Sequence, residues 1–431
     1  TGNAANNILD GGDGVDTLIG GAGNDTYVVD VDGETIIDSV GIDTVQAAIS
    51  YTLAATLENL TLTGSADIDG TGTALANTLT GNDGANVLTG LAGNDTYVVS
   101  TGDTISETST LATEIDTVLS SVSWTLGPNL ERLTLTGTAA IDGTGNALAN
   151  LLTGNAGNNT LDGGLGIDTL IGGLGDDTYH VDLTTTGALQ DIITEAASAG
   201  TDRVVLRGTH TQANAVTLTL AATLENLDAS GTGDTKLNLT GNALANTLTG
   251  NDADNILNGG TGADLLIGGA GNDTYLIDHL LDTITEAVTP GEVDLAQINI
   301  AAAGGTYTLA ANVENGTLTN TVAFNLTGNG GSNTLTGNAA NNILDGGDGV
   351  DTLNGGAGND TYVVDVSGET IIDSAGIDTV LAAISYTLAA SLENLTLTGT
   401  DAIDGTGNAL ANTLTGNEGD NLLAGGLGND T

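Results

Sequence analysis

The chain is written in nine-residue words. Four consecutive words show the frame most cleanly, starting at Gly241 (G-N-A-L-A-N-T-L-T), Gly250 (G-N-D-A-D-N-I-L-N), Gly259 (G-G-T-G-A-D-L-L-I) and Gly268 (G-G-A-G-N-D-T-Y-L). The eighth position of each is apolar: Leu248, Leu257, Leu266 and Tyr275. A strand residue that returns every nine positions, with glycine where the chain must turn, specifies a half-coil of a solenoid. Two words make one full coil, so alternate turns stack on the same edge. Glycine suits these turns because they use φ > 0 and bring backbones close together. The fullest form of the word opens at Gly20, Gly90, Gly172, Gly268, Gly355 and Gly425, and in the first five copies it closes on Tyr27, Tyr97, Tyr179, Tyr275 and Tyr362.

The segments between these runs keep the frame in weaker form. After Tyr27 the apolar slot holds Ile36 and Val45 and the acidic slot holds Glu34 and Asp43; the fifth run repeats this with Ile371, Val380, Glu369 and Asp378. Val45, Ala47, Ile49, Tyr51 and Leu53 then alternate with period two, and Leu60 and Leu62 follow. Such alternation reads as strands. The connectors are therefore expected to be further coils without the glycine-rich turn, with a small β-sandwich between rolls as the alternative. The expected fold is all-β, a parallel β-solenoid of tandem repeats. Its modules span 1–71, 72–144, 145–240, 241–327, 328–406 and 407–431, the first and last truncated. Residues 1–96 recur nearly unchanged as 336–431, and both ends of the chain fall inside a word. The sequence thus reads as a window onto a longer array.

Composition narrows the partners. Fifty-five acids against four Lys and Arg give a net charge of −51, which repels nucleic acid and anionic membranes and attracts divalent cations. High charge with abundant glycine can mean disorder, but 39% of residues are apolar and only two are proline, so folding is the stronger reading. With aromatics at 2%, the expected core is thin and made of Leu, Ile, Val and Ala. No cysteine is present, which excludes disulfides and thiolate metal sites. No apolar run approaches the roughly 18 residues of a membrane helix.

A turn carrying one carboxylate suits calcium, a hard cation that takes six to eight oxygens at about 2.3–2.6 Å. One turn supplies half a shell and the turn one coil further supplies the rest, so the acid must recur every eighteen residues along one edge. Asp25 and Asp43, Asp16 and Glu34, Asp264 and Asp282, and Asp360 and Asp378 do so. Where the second acid lacks its glycine pair, as at Glu34 and Asp43, the sequence leaves two readings open: a ligand or a solvated edge acid.

The word G-G-x-G-x-D-x-U-x, with U a large apolar residue, resembles that of the RTX (repeats-in-toxin) proteins. The full turn occurs at Gly11, Gly20, Gly163, Gly172, Gly259, Gly268, Gly346, Gly355 and Gly425, and Gly90 opens a near match with Leu91 in the second slot. The resemblance implies calcium-bound parallel β-rolls. Carried over by position, it implies the carboxylate ligands Asp16, Asp25, Asp95, Asp168, Asp177, Asp264, Asp273, Asp351, Asp360 and Asp430. Backbone carbonyls such as those of Gly12, Gly14, Gly21 and Gly23 would complete the shells. Early words of each run put asparagine in the acidic slot, at Asn7, Asn77, Asn86, Asn150, Asn159, Asn246, Asn255, Asn342 and Asn412. Those turns are expected to stack by hydrogen bonds without metal, leaving about two ions per module.

Nothing in the sequence points to catalysis. His180, His210 and His279 share no repeat slot, Lys236 and the arginines form no cluster, and no G-x-S-x-G, H-E-x-x-H or P-loop pattern occurs. The acids form a ladder rather than converging on one cleft. The expected function is a non-enzymatic, calcium-binding, secreted structural or adhesive protein that folds on calcium and forms a fibre or surface filament. Its expected partners are calcium, copies of itself and other cell-surface components, with no nucleic acid and no membrane insertion. The alternatives are the calcium-dependent folding and secretion tail of an RTX enzyme or toxin, and the stalk of an adhesin. One-step bacterial export is implied by the resemblance alone.

Overall fold

In the computed structural model, which describes residues 1–38 and 40–431, the nine-residue period becomes alternating strands of two to six residues. Two compact units are present: Thr1–Leu183 with Leu189–Val205, and Thr184–Ala188 with Leu206–Thr431. Among the described residues there is no α-helix, only a 3-10 turn at Ser230–Thr232, and no helix long and apolar enough to cross a membrane.

In the first unit every second strand joins one 11-stranded parallel sheet that starts Ile8–Asp10, Thr26–Val29, Thr44–Ala47, Asn59–Leu62 and ends at Ile192–Thr194. The intervening strands form separate parallel sheets, such as Tyr51–Thr52, Gly70–Thr71, Val87–Thr89 and Thr104–Ser106. Among the described residues no strand pairs with its sequence neighbour. Each pairs with the strand one coil away, which is the definition of a solenoid coil. The second unit repeats the arrangement with a 9-stranded sheet from Val216–Thr219 to Thr370–Ala375 and a 7-stranded sheet from Thr306–Thr308 to Thr413–Thr415.

Register places the apolar slot of each word directly over that of the next coil. Leu9, Tyr27, Val45, Leu60 and Leu79 follow one another as Cα partners, and the file continues through Tyr97, Val118, Leu133, Leu152 and Leu170. All ten side chains are buried. Because Val45, Leu60, Val118 and Leu133 belong to the connectors, the connectors are coils of the same solenoid and not an inserted β-sandwich. The outward file beside it is rich in threonine, with Thr26, Thr44, Asn59, Thr78, Thr96 and Thr117 in register. β-Branched side chains suit such a half-exposed strand face.

Apolar side chains of neighbouring strands meet closely in the core. A β-carbon at Gly70 would lie 2.9 Å from Leu60 and 3.3 Å from Leu88, so the glycine makes room for leucines of neighbouring strands. The turns are equally close. Gly175 has φ +110, and a β-carbon there would lie 2.8 Å from the carbonyl carbon of Gly157 in the preceding coil. Position two of the near-match turn breaks the rule: Leu91 adopts φ +82 with its side chain 39% exposed. A left-handed conformation costs a residue with a β-carbon about 1–2 kcal/mol, and little packing offsets it here. Leu91→Gly is therefore expected to stabilise the calcium-loaded chain by about 1 kcal/mol, seen as a higher thermal midpoint. An unchanged or lower midpoint would contradict this account of the turn.

Candidate metal centres

The acidic slot is built from the same register as the core. At the glycine-rich turns after the first, the Asp side chain reaches back one coil, and its Oδ1 accepts the backbone N–H of the equivalent residue there. Asn7 N–H donates to Asp25 Oδ1 at 2.6 Å, Asp25 N–H to Asp43 Oδ1 at 2.8 Å, and Asp43 N–H to Glu58 Oε2 at 2.9 Å. The second module runs Asn77, Asp95, Asp116 and Glu131 with distances of 2.7, 2.7 and 2.9 Å. The fourth runs Asn255, Asp273, Asp294 and Glu314, and the fifth Asn342, Asp360, Asp378 and Glu393. On the other turns, Asp168, Asp264 and Asp351 accept from Asn150, Asn246 and Asn333. Asp177 accepts from Asn159, and the exposed Asp430 from Asn412 at 3.0 Å.

The second carboxylate oxygen has no protein partner. Oδ2 of Asp16, Asp25, Asp43, Asp95, Asp168, Asp177, Asp264, Asp273, Asp351, Asp360 and Asp378 is buried without a hydrogen bond, and so are both carboxylate oxygens of Glu34 and Glu369. Most of these residues are at most 2% exposed, Asp25, Asp95, Asp177, Asp273 and Asp360 being at 1%. An ionised oxygen taken from water costs several kcal/mol unless something compensates it. The asparagine turns have no such debt. Asn77 Oδ1 accepts Thr73 N–H at 2.6 Å while its Nδ2 donates to the Leu57 and Glu58 carbonyls at 3.2 and 3.0 Å.

The residues placed by sequence fall into two arrangements. In the pairs Asp16 with Glu34 and Asp351 with Glu369, burial raises the glutamate pKa, and repulsion from Asp30 or Asp365 and then from the paired aspartate adds to it. Between Asp264 and Asp282, the Asp264 N–H donates to Asp282 Oδ1 at 3.1 Å. There Asp282 Oδ2 is already engaged by the Asp278 and His279 amides at 3.1 and 2.9 Å. The second arrangement brings three acids together: Asp25, Asp38 and Asp43; Asp95, Glu107 and Asp116; Asp177, Glu195 and Asp202; Asp273, Glu286 and Asp294; Asp360, Asp373 and Asp378. In each, one oxygen per residue lies within 4.8 Å of the others. Gly12, Gly14, Gly21 and Gly23 sit in the turns with φ of +70, +118, +108 and +112.

The sequence reading missed the middle acid of each trio. Its signal is an acid four residues after another acid, around a central isoleucine: Glu34 and Asp38, Asp103 and Glu107, Asp191 and Glu195, Asp282 and Glu286, Glu369 and Asp373. Asp116, Asp202 and Asp294 were missed because loop insertions stretch the eighteen-residue period to 21, 25 and 21.

The match that decides the family lies on these turns. The RTX calcium-binding nonapeptide repeat family matches residues 1–29, 71–105, 144–179, 240–275, 327–362 and 406–431. The chain carries RTX calcium-binding nonapeptide repeats. No curated protein matches it. RTX repeats bind calcium, and the residues present fit that ion: buried, ionisable oxygens without partners, repeated on stacked turns. Asp25, Asp95, Asp177, Asp273 and Asp360 with their trio partners, and the pairs Asp16–Glu34 and Asp351–Glu369, would hold it. Bound calcium would supply the positive charge that these carboxylates lack.

Crowded, buried carboxylates hold protons strongly. Burial, with lesser repulsion from Glu286, Asp294 and Asp254, pushes the Asp273 carboxyl up to about 8. Burial likewise takes Asp116 and Asp177 to about 7 and Asp95 to about 6, with neighbouring acids adding to it. Raised folded-state values mean that the calcium-free fold binds more protons than the unfolded chain. Its stability is fully present below the ordinary carboxylate value of about 4 and is lost as pH rises through 6 to 8. Calcium affinity runs the other way, because the ion must displace those protons. Circular dichroism without calcium is expected to gain β signal as pH falls, while calorimetric calcium affinity weakens from pH 8 to 6. Calcium-free stability that increased with pH would contradict the placement of these groups.

Proposed function

We propose that this chain is a non-enzymatic, calcium-folded structural or adhesive element of an extracellular protein, acting as part of a fibre or surface filament. The observation that carries the reading is the file of buried, unpartnered carboxylate oxygens repeated from module to module. Each is one copy of a recurring turn, so the chemistry is distributed along the coils rather than gathered at one centre, which favours a mechanical role over catalysis. The near-repetition of residues 1–96 as 336–431 supports an extended array whose partners are copies of itself or other cell-surface components.

The mechanism is binding coupled to folding. Where calcium is scarce, stacked carboxylates within a chain of net charge −51 repel one another and cannot be buried. In the millimolar calcium typical of extracellular modules, ions bind only the stacked state and pull the equilibrium toward it. RTX repeat proteins are typically secreted, and such a switch would keep the chain loose before export and rigid after it.

The test is far-ultraviolet circular dichroism at pH 7.5 during chelation and calcium return. The β signal is expected to be lost on chelation and regained with calcium. Magnesium at the same concentration is expected to restore little, because it demands a tighter octahedral shell and keeps its waters. A spectrum unchanged by chelation would sink the coupled-folding reading.

A further inference from the structure

We infer that the five trios closed by Tyr27, Tyr97, Tyr179, Tyr275 and Tyr362 are cation sites of their own class, which hold a hard divalent cation on three carboxylate side chains and fill before the two-acid pairs. The inference rests on the proposed calcium reading only for the identity of the ion.

The place of the third acid is the first argument. Asp38 lies eighteen residues after Gly20, in the slot that glycine occupies one coil earlier. Where the glycine-rich turn meets a coil with no glycine pair, a side-chain carboxylate stands in for the lost backbone. Convergence is the second. In the fifth copy Asp360, Asp373 and Asp378 bring oxygens within 4.8 Å, and Oδ2 of both Asp360 and Asp378 is buried without a partner, the residues being 1% and 0% exposed.

The tyrosine provides the third argument. In every copy its hydroxyl donates to the middle acid: Tyr97 to Glu107 Oε2 at 2.6 Å and Tyr362 to Asp373 Oδ1 at 3.0 Å, with Tyr27–Asp38, Tyr179–Glu195 and Tyr275–Glu286 equivalent. A β-carbon on Gly355 would overlap both the Tyr362 hydroxyl and Asp360 Oδ2, so the glycine leaves open the space these groups face. The separation from tyrosine to middle acid is 10 residues at Glu107, 11 at Asp38 and 16 at Glu195. The residue is Asp in two copies and Glu in three. Loops of different length thus deliver a carboxylate to one position.

The order of filling follows from charge. Three carboxylates fixed by a hydroxyl hold calcium more tightly than two, because affinity rises with the number of charged ligands and with rigidity. Module five offers both kinds: the trio, and the pair Asp351–Glu369.

The experiment is equilibrium dialysis of the full chain with radioactive calcium across a range of free calcium, with circular dichroism on the same samples. Binding is expected to pause at a plateau near five ions per chain, one per trio, before further uptake. Asp373→Asn is expected to lower the plateau by one ion. Asp373→Glu should restore it, which separates loss of a carboxylate from loss of folding. Glu369→Gln should leave the plateau and reduce only the later uptake. A single undivided curve, or a plateau unmoved by Asp373→Asn, overturns the inference. If dichroism still responds to calcium in that case, coupled folding stands alone; if it does not respond, both readings fall.

Discussion

Parallel coil stacking places every residue directly over its equivalent, about 4.8 Å away. For leucine and tyrosine this is favourable, and it makes the buried file from Leu9 to Leu170. For aspartate it stacks like charges in a site that water cannot reach. The structure resolves half of that conflict with its own backbone, since Oδ1 caps the amide of the preceding coil. The other half, Oδ2, has no hydrogen-bond partner, and a bound cation would compensate it. The rest of the structure depends on this division. Where asparagine fills the slot, as at Asn77, the stack is closed without an ion. Where aspartate fills it, Oδ2 stays buried without a hydrogen-bond partner.

The same logic gives the first, second, fourth and fifth modules a direction. An amide ladder opens on asparagine, passes through two aspartates and ends on a glutamate, as in Asn7, Asp25, Asp43 and Glu58. Asparagine can start it because its amide also donates to carbonyls behind. Glutamate can end it because its longer side chain reaches the last amide from a coil with no aspartate of its own. The turns that would hold calcium therefore occupy the middle of these ladders. The connectors on either side carry the apolar file onward with fewer ionic demands.

Much of this was legible in the sequence. The nine-residue period fixes the coil, Leu248, Leu257, Leu266 and Tyr275 identify the core slot, and Asp264 and Asp273 identify the edge slot. Whether the connectors were coils or a sandwich was open, because short alternating strands such as Val45–Leu53 satisfy both. Only the pairing of Val45 with Leu60 closes it. The middle acids Asp38, Glu107, Glu195, Glu286 and Asp373 stayed hidden because their role comes from the fold. Asp38, Glu286 and Asp373 keep the eighteen-residue spacing from Gly20, Gly268 and Gly355 but fall in a glycine slot, so counting along the acidic slot passes over them, and at Glu107 and Glu195 the spacing shifts. The capping role of Glu58 has the same cause: it depends on a coil closing behind it.

The central claim is that Oδ2 of the turn aspartates is a cation ligand. A crystal structure of the calcium-loaded chain, with anomalous scattering used to locate the ions, tests it most directly. The account predicts an anomalous peak at about calcium–oxygen distance, 2.3–2.6 Å, from Oδ2 of Asp25, Asp95, Asp177, Asp273 and Asp360. Stacked coils in saturating calcium with no peak beside those oxygens would contradict it.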